Sequence, residues 1–426
     1  MGPVICAVIA TWNAVACAMM IECKEHALDQ TIPSHMCVSS TYSRIAYVGL
    51  GWLGMAITDL SVIVTLLGVC VAYQITFSSL LSAVPAISLS GQALTCVSGM
   101  LVLPLCLSGS FRSLSSLSLL GLLCLCLGSL AILYFGFCSY GSAVYSDPFS
   151  QLSAWPANAS ALASFVGIAA FCFGLPPLAF PLQESMQDKS QFNLAVAAAL
   201  LFVWTVYVVI GDLGALLYVH SAQGVAENVL SDLPMSSPLA LAVRLCMAMV
   251  CVLTFPLTFL PPAQMIQKYL QISRREACEK AAMSKAAVRG YGSLQSTRPA
   301  ADRDAEEDAP LLSPATTAPE TPAVSPALHC ALVAACTCAA VFVPCFATVI
   351  SVLGAMTVAL LSFVLPPLLH LAIVSYPRYV AGARQAERWQ LGVDVVLLVC
   401  GLLLSALSSF LIVAQAAAKV RAGEGC

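Results

Sequence analysis

The chain is dominated by apolar runs of roughly twenty residues, each long enough to cross the hydrocarbon core of a bilayer. In order they are Pro3–Ile21, Ala56–Leu80, Gln92–Leu107, Leu114–Phe137, Ala161–Leu182, Leu194–Leu217, Leu239–Pro262, Ala327–Val343, Thr348–Ile373 and Leu391–Ala414. In hydrocarbon every backbone N–H and C=O must find a partner inside the protein, so only helices and closed barrels can span. A spanning strand needs only about ten residues, so runs of this length read as helices. The predicted fold class is an all-α polytopic membrane protein with about ten transmembrane helices. Charged residues make up 9% of the 426, and hydrophobic ones 60%; soluble domains carry about 25% charge. The lipid bilayer is thus an obligatory partner. The net charge of −3 is uninformative about nucleic acid, because the few charges sit in loops, and no nucleic-acid partner is expected. Met1 to Ile21 lacks a basic leading region, so it reads as a span and not as a signal peptide.

Lys and Arg set the orientation. All 18 except Arg244, Lys419 and Arg421 fall on one side of the membrane. The loops around 81–91, 138–160, 218–238 and 344–347 have none. The basic loops are therefore expected in the cytosol, with both termini outside or luminal. Asn158-Ala-Ser160 is a glycosylation sequon in a loop placed outside. Residues 271–326 form the longest loop and separate the first part of the membrane core (1–270) from its last helices (327–426). The loop begins with a basic, helical piece from Arg274 to Arg289. It then turns rich in Ala, Pro, Thr, Ser and Glu, cannot bury apolar area, and is expected to be disordered. Within it Glu307-Asp-Ala-Pro-Leu311-Leu312 has the form of an acidic dileucine sorting signal. Such a signal would engage a sorting adaptor and favour an endosomal or vacuolar membrane over the plasma membrane; the same letters also arise by chance.

The run from Ala161 to Leu182 is interrupted. Gly174-Leu175-Pro176-Pro177 falls within it and Pro181 follows one turn later. Each proline removes a backbone donor and clashes with the preceding turn, so a regular helix cannot continue. Freed carbonyls at membrane depth are tolerated when buried in protein or lining a cavity, and interrupted apolar segments point to transporter binding sites. A packing kink is the alternative, since proline alone can cause one.

Polar groups within spans are few. Asp59 and Asp394 sit near the cytosolic ends, where water is expected to reach them, and Arg244 is expected to snorkel outward. Thr65 and Tyr73 share one helix and Thr254 precedes Pro256 on another; such hydroxyls mostly bond to neighbouring helices. The cysteines lie largely inside apolar runs with no CxxC pair, and the five histidines are scattered. Neither a disulfide framework nor a metal site is expected. No nucleophile–base pair or phosphate loop is present, so no enzyme is read.

With its neighbours, the interrupted helix resembles the amino acid/auxin permease family. Phe171-Cys-Phe-Gly174 and Phe180-Pro181 resemble that family's sixth helix and its proline-led exit. Asn228 to Pro234 resembles an outer loop ending in Leu-Pro, and Leu253-Thr-Phe-Pro256 the eighth helix. Val352-Leu-Gly354 and Phe363-Val-Leu-Pro-Pro367-Leu resemble the ninth and tenth, the latter being the most specific match. Gly51-Trp-Leu-Gly54, Asp59 and Gly68 to Tyr73 are similar to the second loop and third helix, and Leu103-Pro104-Leu to the fourth helix. The resemblance spans nearly the whole chain outside 271–326. It implies a LeuT-like inverted-repeat bundle that binds its substrate near the midplane.

Two departures qualify the resemblance. The family's first helix, a broken one that shares the site with the sixth, has no counterpart after Met1. Gly174 stands where some members carry an acid. The expected function is secondary active, alternating-access transport of amino acids, with neutral ones favoured because no unpaired intramembrane charge is available. A non-transporting receptor or scaffold of the same fold, or an incomplete gene model, are the alternatives. Phe173 to Pro177, including Gly174, Leu175 and Pro176, is expected to unwind and offer backbone groups to the amino acid. Thr65 and Thr254 are expected to supply hydroxyls, and Tyr73 and Phe171 to shape the side-chain pocket. No cofactor is expected; the coupling ion, H+ or Na+, is not readable.

Overall fold

A computed structural model describes residues 1–28, 38–84, 87–108, 111–146, 155–219, 230, 233, 237–293, 325–343, 345–377 and 385–422. The described residues are helical, with no strand among them. The helices are α1 (Gly2–Leu28), α2 (Thr41–Ser82), α3 (Gly91–Ser108), α4 (Phe111–Ser146), α5 (Ala159–Cys172), α6 (Ala179–Ser185), α7 (Phe192–Tyr218), α8 (Pro238–Ser293), α9 (Pro326–Phe342), α10 (Phe346–Leu353), α11 (Leu365–His370) and α12 (Gln385–Ala422). Among the described residues, 8 helical segments are long and apolar enough to cross a membrane, and Gly91–Leu107 and Pro326–Phe342 are shorter apolar helices. The protein is an integral, multi-pass membrane protein.

Burial orders the bundle. The segment Phe346–Ser375 has 67% of its apolar window enclosed, against 11% for Lys189–Tyr218 and 17% for Arg388–Gln415. The first therefore runs through the centre and the other two line the rim. Leu194, Leu201 and Phe202 on α7, with Leu403, Leu407 and Phe410 on α12, point outward. Lipid tails are as apolar as leucine, so an outward leucine does not drive these helices together; close backbone approach at small residues does. A Cβ on Gly354 would fall onto the Gly167 carbonyl, and one on Gly401 onto the Phe363 carbonyl. These two contacts seat α5 and α12 against the central segment.

That segment is not a plain α-helix. Gly354–Val358, Leu360–Val364 and Leu371–Ser375 are π-helical turns. Such turns are rare and often mark functional sites. Pro366 and Pro367 open α11, where their missing donors are tolerated.

α2 bends at Gly51, whose φ of 69° is the only positive one among the described glycines. L-residues with a Cβ avoid this region. The short helix before the bend is capped by Ser40, whose hydroxyl accepts from the Ser43 N–H at 3.2 Å, and Tyr42, Ile45 and Ala46 bury one face of it. The expected helical piece from Arg274 to Arg289 is continuous with α8, which runs to Ser293. At about 1.5 Å per residue its 56 residues greatly exceed a bilayer's hydrocarbon thickness of about 30 Å, so its C-terminal part extends beyond the core. The candidate sorting residues Glu307, Leu311 and Leu312 lie outside the described residues.

Three expectations require correction. Asp59 and Asp394 are each 1% exposed, not water-facing. Arg244 is buried and does not snorkel; its guanidinium donates to the carbonyls of Leu230 at 3.1 Å and Leu233 at 2.7 Å, satisfying backbone that precedes α8. Cys345 is disulfide-bonded, where no disulfide was expected from sequence. It lies in the loop around 344–347, and disulfides persist in oxidising compartments.

Candidate functional site

The interrupted span breaks where the prolines require it. α5 ends at Cys172, Phe173 leaves the helical register at φ −102°, ψ 5°, and a 3-10 turn over Pro176–Leu178 leads into α6. The Gly174 N–H reaches back to the Phe171 carbonyl at 3.3 Å, and Leu178 to Leu175 at 2.8 Å. Phe173 and Pro176 are buried, whereas Phe171, Gly174 and Leu175 are half-buried. The Phe173 ring meets Tyr207 edge-on at 5.4 Å.

The break faces the central π turns. A Cβ on Gly174 would collide with Val358, and one on Gly354 would lie 3.1 Å from the Phe171 Cβ. Gly174 therefore has a contact reason to be glycine; its φ is not in the left-handed region. Carbonyls in the π turns are taken up by neighbouring side chains. Tyr42 donates to Leu361 at 2.6 Å, and Ser405 and Ser409 donate to Ala355 at 2.9 and 3.2 Å. An irregular backbone at membrane depth is thus enclosed by protein.

The expected hydroxyls separate into two places. Thr65 lies 2.7 Å from the Thr357 hydroxyl, whose own proton goes to the Leu353 carbonyl at 3.0 Å. Thr65 thus touches the first π turn, which carries the Val358 that meets the break. Tyr73 instead meets Thr254 across α2 and α8. It lies eight residues beyond Thr65, about 12 Å along the helix. The Thr254 hydroxyl is also held by its own helix, donating to Val250 at 2.7 Å. Asn158 caps α5, its side-chain oxygen accepting from the Ala161 N–H at 2.7 Å.

Two buried polar clusters went unread in the sequence. The Asp59 carboxylate accepts from Ser39 at 2.7 Å and from the Ser43 and Tyr269 hydroxyls, tying the short helix before Gly51 and α8 to the rest of α2. His370 sits between Asp394, 2.7 Å from Nδ1, and Glu22, 3.1 Å from Nε2. For Asp59 and Asp394 proximity to the end of a span pointed to water, and the family likeness around Asp59 carried no word of its partners.

Comparison with known proteins matches residues 1–414 to the family described as "Transmembrane amino acid transporter protein". Amino acid transporter ANT1 of Arabidopsis thaliana is 24% identical over 380 residues, covering 87% of this chain and 76% of that protein. Vacuolar amino acid transporter 4 of Saccharomyces cerevisiae is 30% identical over 110 residues, 26% of this chain and 15% of that protein.

Proposed function

The chain belongs to the transmembrane amino acid transporter family, and from that premise we propose that it is a secondary active transporter of neutral amino acids working by alternating access. The observation that carries this reading is the helix break at Phe173 to Leu175, set against π-helical turns in the most enclosed span. Backbone groups there can engage an ammonium and a carboxylate without a fixed charge. Of the buried ionisable side chains among the described residues, Asp59, Arg244, His370 and Asp394 are engaged by polar protein partners and His329 packs against the Phe259 ring; no buried carboxylate or guanidinium is left to hold a charged side chain, which favours a substrate with an uncharged one. Phe171, Phe173, Gly174, Leu175 and Pro176 would form the cradle, with Thr65 beside it. Tyr73 and Thr254 would act at a second level of the same pathway. A LeuT-like inverted repeat is the architecture such a break would serve. One relative is named for the vacuole; that name and the dileucine form both favour an endosomal or vacuolar membrane.

Radiolabelled uptake of a neutral amino acid mixture, normalised to protein in the membrane, tests the site. Gly174→Leu is expected to abolish uptake while insertion persists. Gly174→Ala is expected to lower uptake, and adding Val358→Ala to restore it, because the second change vacates the space the new Cβ needs. Uptake per molecule that stays normal in Gly174→Leu, with only abundance reduced, would show the break to be a packing kink.

A further inference from the structure

Glu22 on α1, His370 on α11 and Asp394 on α12 are distant in sequence and meet at the membrane end where the basic loops gather. His370 and Asp394 are buried, at 5% and 1% side-chain exposure, while Glu22 is 34% exposed. Ser375 completes the group, donating to the Asp394 carboxylate 3.3 Å from His370 Nδ1. A cavity of about 460 Å³ opens onto the cluster, walled in part by Glu22, Glu25, Trp389, Gln390 and Asp394. Among the described residues the carboxylates that meet the imidazole are these two, and on α1 His26 stands one turn from Glu22, its Nδ1 3.0 Å from the Glu22 carbonyl. Glu25 lines the same cavity, Cys23 is buried next to Glu22 in the chain, and Asp59 of α2 is engaged elsewhere by Ser39, Ser43 and Tyr269. No arrangement of three or more His, Cys, Asp or Glu among the described residues could hold a metal ion.

The geometry counts protons. A neutral imidazole has one N–H and so can donate to one carboxylate only. Its other nitrogen then faces a second carboxylate lone pair to lone pair. Both contacts are satisfied only if the cluster holds one further proton, on the ring or on a carboxyl group. We infer that Glu22, His370 and Asp394 form a proton-binding latch that fastens α1 to α11 and α12, and that loss of the extra proton releases α1. Of the two contacts, Glu22–His370 is the wetter and longer, so it is the one that parts. The use of this latch in a transport cycle rests on the function proposed above; the proton site itself does not.

The test uses the full chain in lipid nanodiscs without amino acid, titrated between about pH 5 and 8, where histidine changes charge. The readouts are tryptophan emission, with Trp389→Phe identifying the cavity's contribution, and hydrogen exchange at the end of α1 corrected for intrinsic rate. The expected result is one emission step, accompanied by severalfold faster exchange on its high-pH side. His370→Gln should lose the step. Glu22→Gln provides its own amide donor to the bare ring nitrogen, so its contact persists without the proton. It should lose both the step and the exchange increase while keeping its melting temperature. A pH-insensitive parent, a step that survives in both variants, or a step that follows Na+ at constant pH would overturn the latch. A parent that titrates as expected yet moves no amino acid keeps the latch and rejects the transport reading. A parent that transports without titrating does the reverse.

Discussion

Asn158 combines two roles that substitution can separate. Its side-chain oxygen caps α5, accepting from the Ala161 N–H at 2.7 Å and the Ser160 hydroxyl at 2.9 Å, and it begins the sequon. Removing such a cap costs about 1 kcal/mol. Asn158→Asp is expected to abolish a glycosidase-sensitive gel shift with little change in thermal stability, whereas Asn158→Ala should lose both. Persistence of the shift in Asn158→Asp would place the glycan elsewhere. Single residues were legible in sequence where their chemistry is local. The prolines at 176 and 177 announced the break, and Gly174 marked it, although the reason for that glycine is the approach of Val358. His370 and Asp394 were not legible. Hydropathy along the chain records how near a residue is to the end of a span, not whether a helix more than three hundred positions away covers it.

The spans themselves were almost entirely legible, because hydrocarbon leaves the backbone one economical solution. The irregularities within them were less so. The π turns of the central segment leave no mark, since a run that is apolar on every side carries no phase to betray a change of period. Gly51 was visible as part of the Gly51-Trp-Leu-Gly54 likeness, but nothing in that run announced a bend. Gly51→Ala is expected to destabilise by about 1–3 kcal/mol, because φ 69° with ψ −160° is a backbone region open essentially to glycine alone, although a Cβ there meets nothing. Gly51→Asn should cost about as much, because Asn tolerates the left-handed helical region, whose ψ is about +47°, and not this one. A thermal melt of the detergent-solubilised protein measures both; equal melting points for the parent and Gly51→Ala would show that the bend relaxes freely.

For the whole molecule, the sided distribution of Lys and Arg carries the topology. Epitopes inserted within 294–324 are expected to be reached from the cytosolic face, and those within 147–154 from the opposite face. Access to the first from outside would invert the orientation. Leu311→Ala combined with Leu312→Ala is expected to shift a tagged protein from endosomal or vacuolar membranes towards the cell surface; an unchanged distribution would dismiss the sorting signal. At this scale the resemblance was legible because its motifs recur along nearly the whole chain, and the family match over 1–414 agrees. What joins the parts, such as Tyr42 on the Leu361 carbonyl or Glu22 on His370, spans sequence separations that no local pattern records.

A π turn is a helix holding one residue more than its rise requires, so it acts as a stored step of rotation. Two such turns, Gly354–Val358 and Leu360–Val364, precede His370, and the first of them carries the face that meets α5. Converting either to α geometry, with no hydrogen-bonded turn lost overall, would rotate everything beyond it by about 100°. That is enough to swing His370 away from Asp394. Deleting Ala359 removes one surplus residue, so one π turn should relax to α geometry with the span still helical and membrane-inserted and His370 still in phase with Asp394. In related chains, a gap of one residue in the middle of this span would signal a π turn that has been lost with its stored step of rotation, the two ends keeping their register, and not an error of alignment.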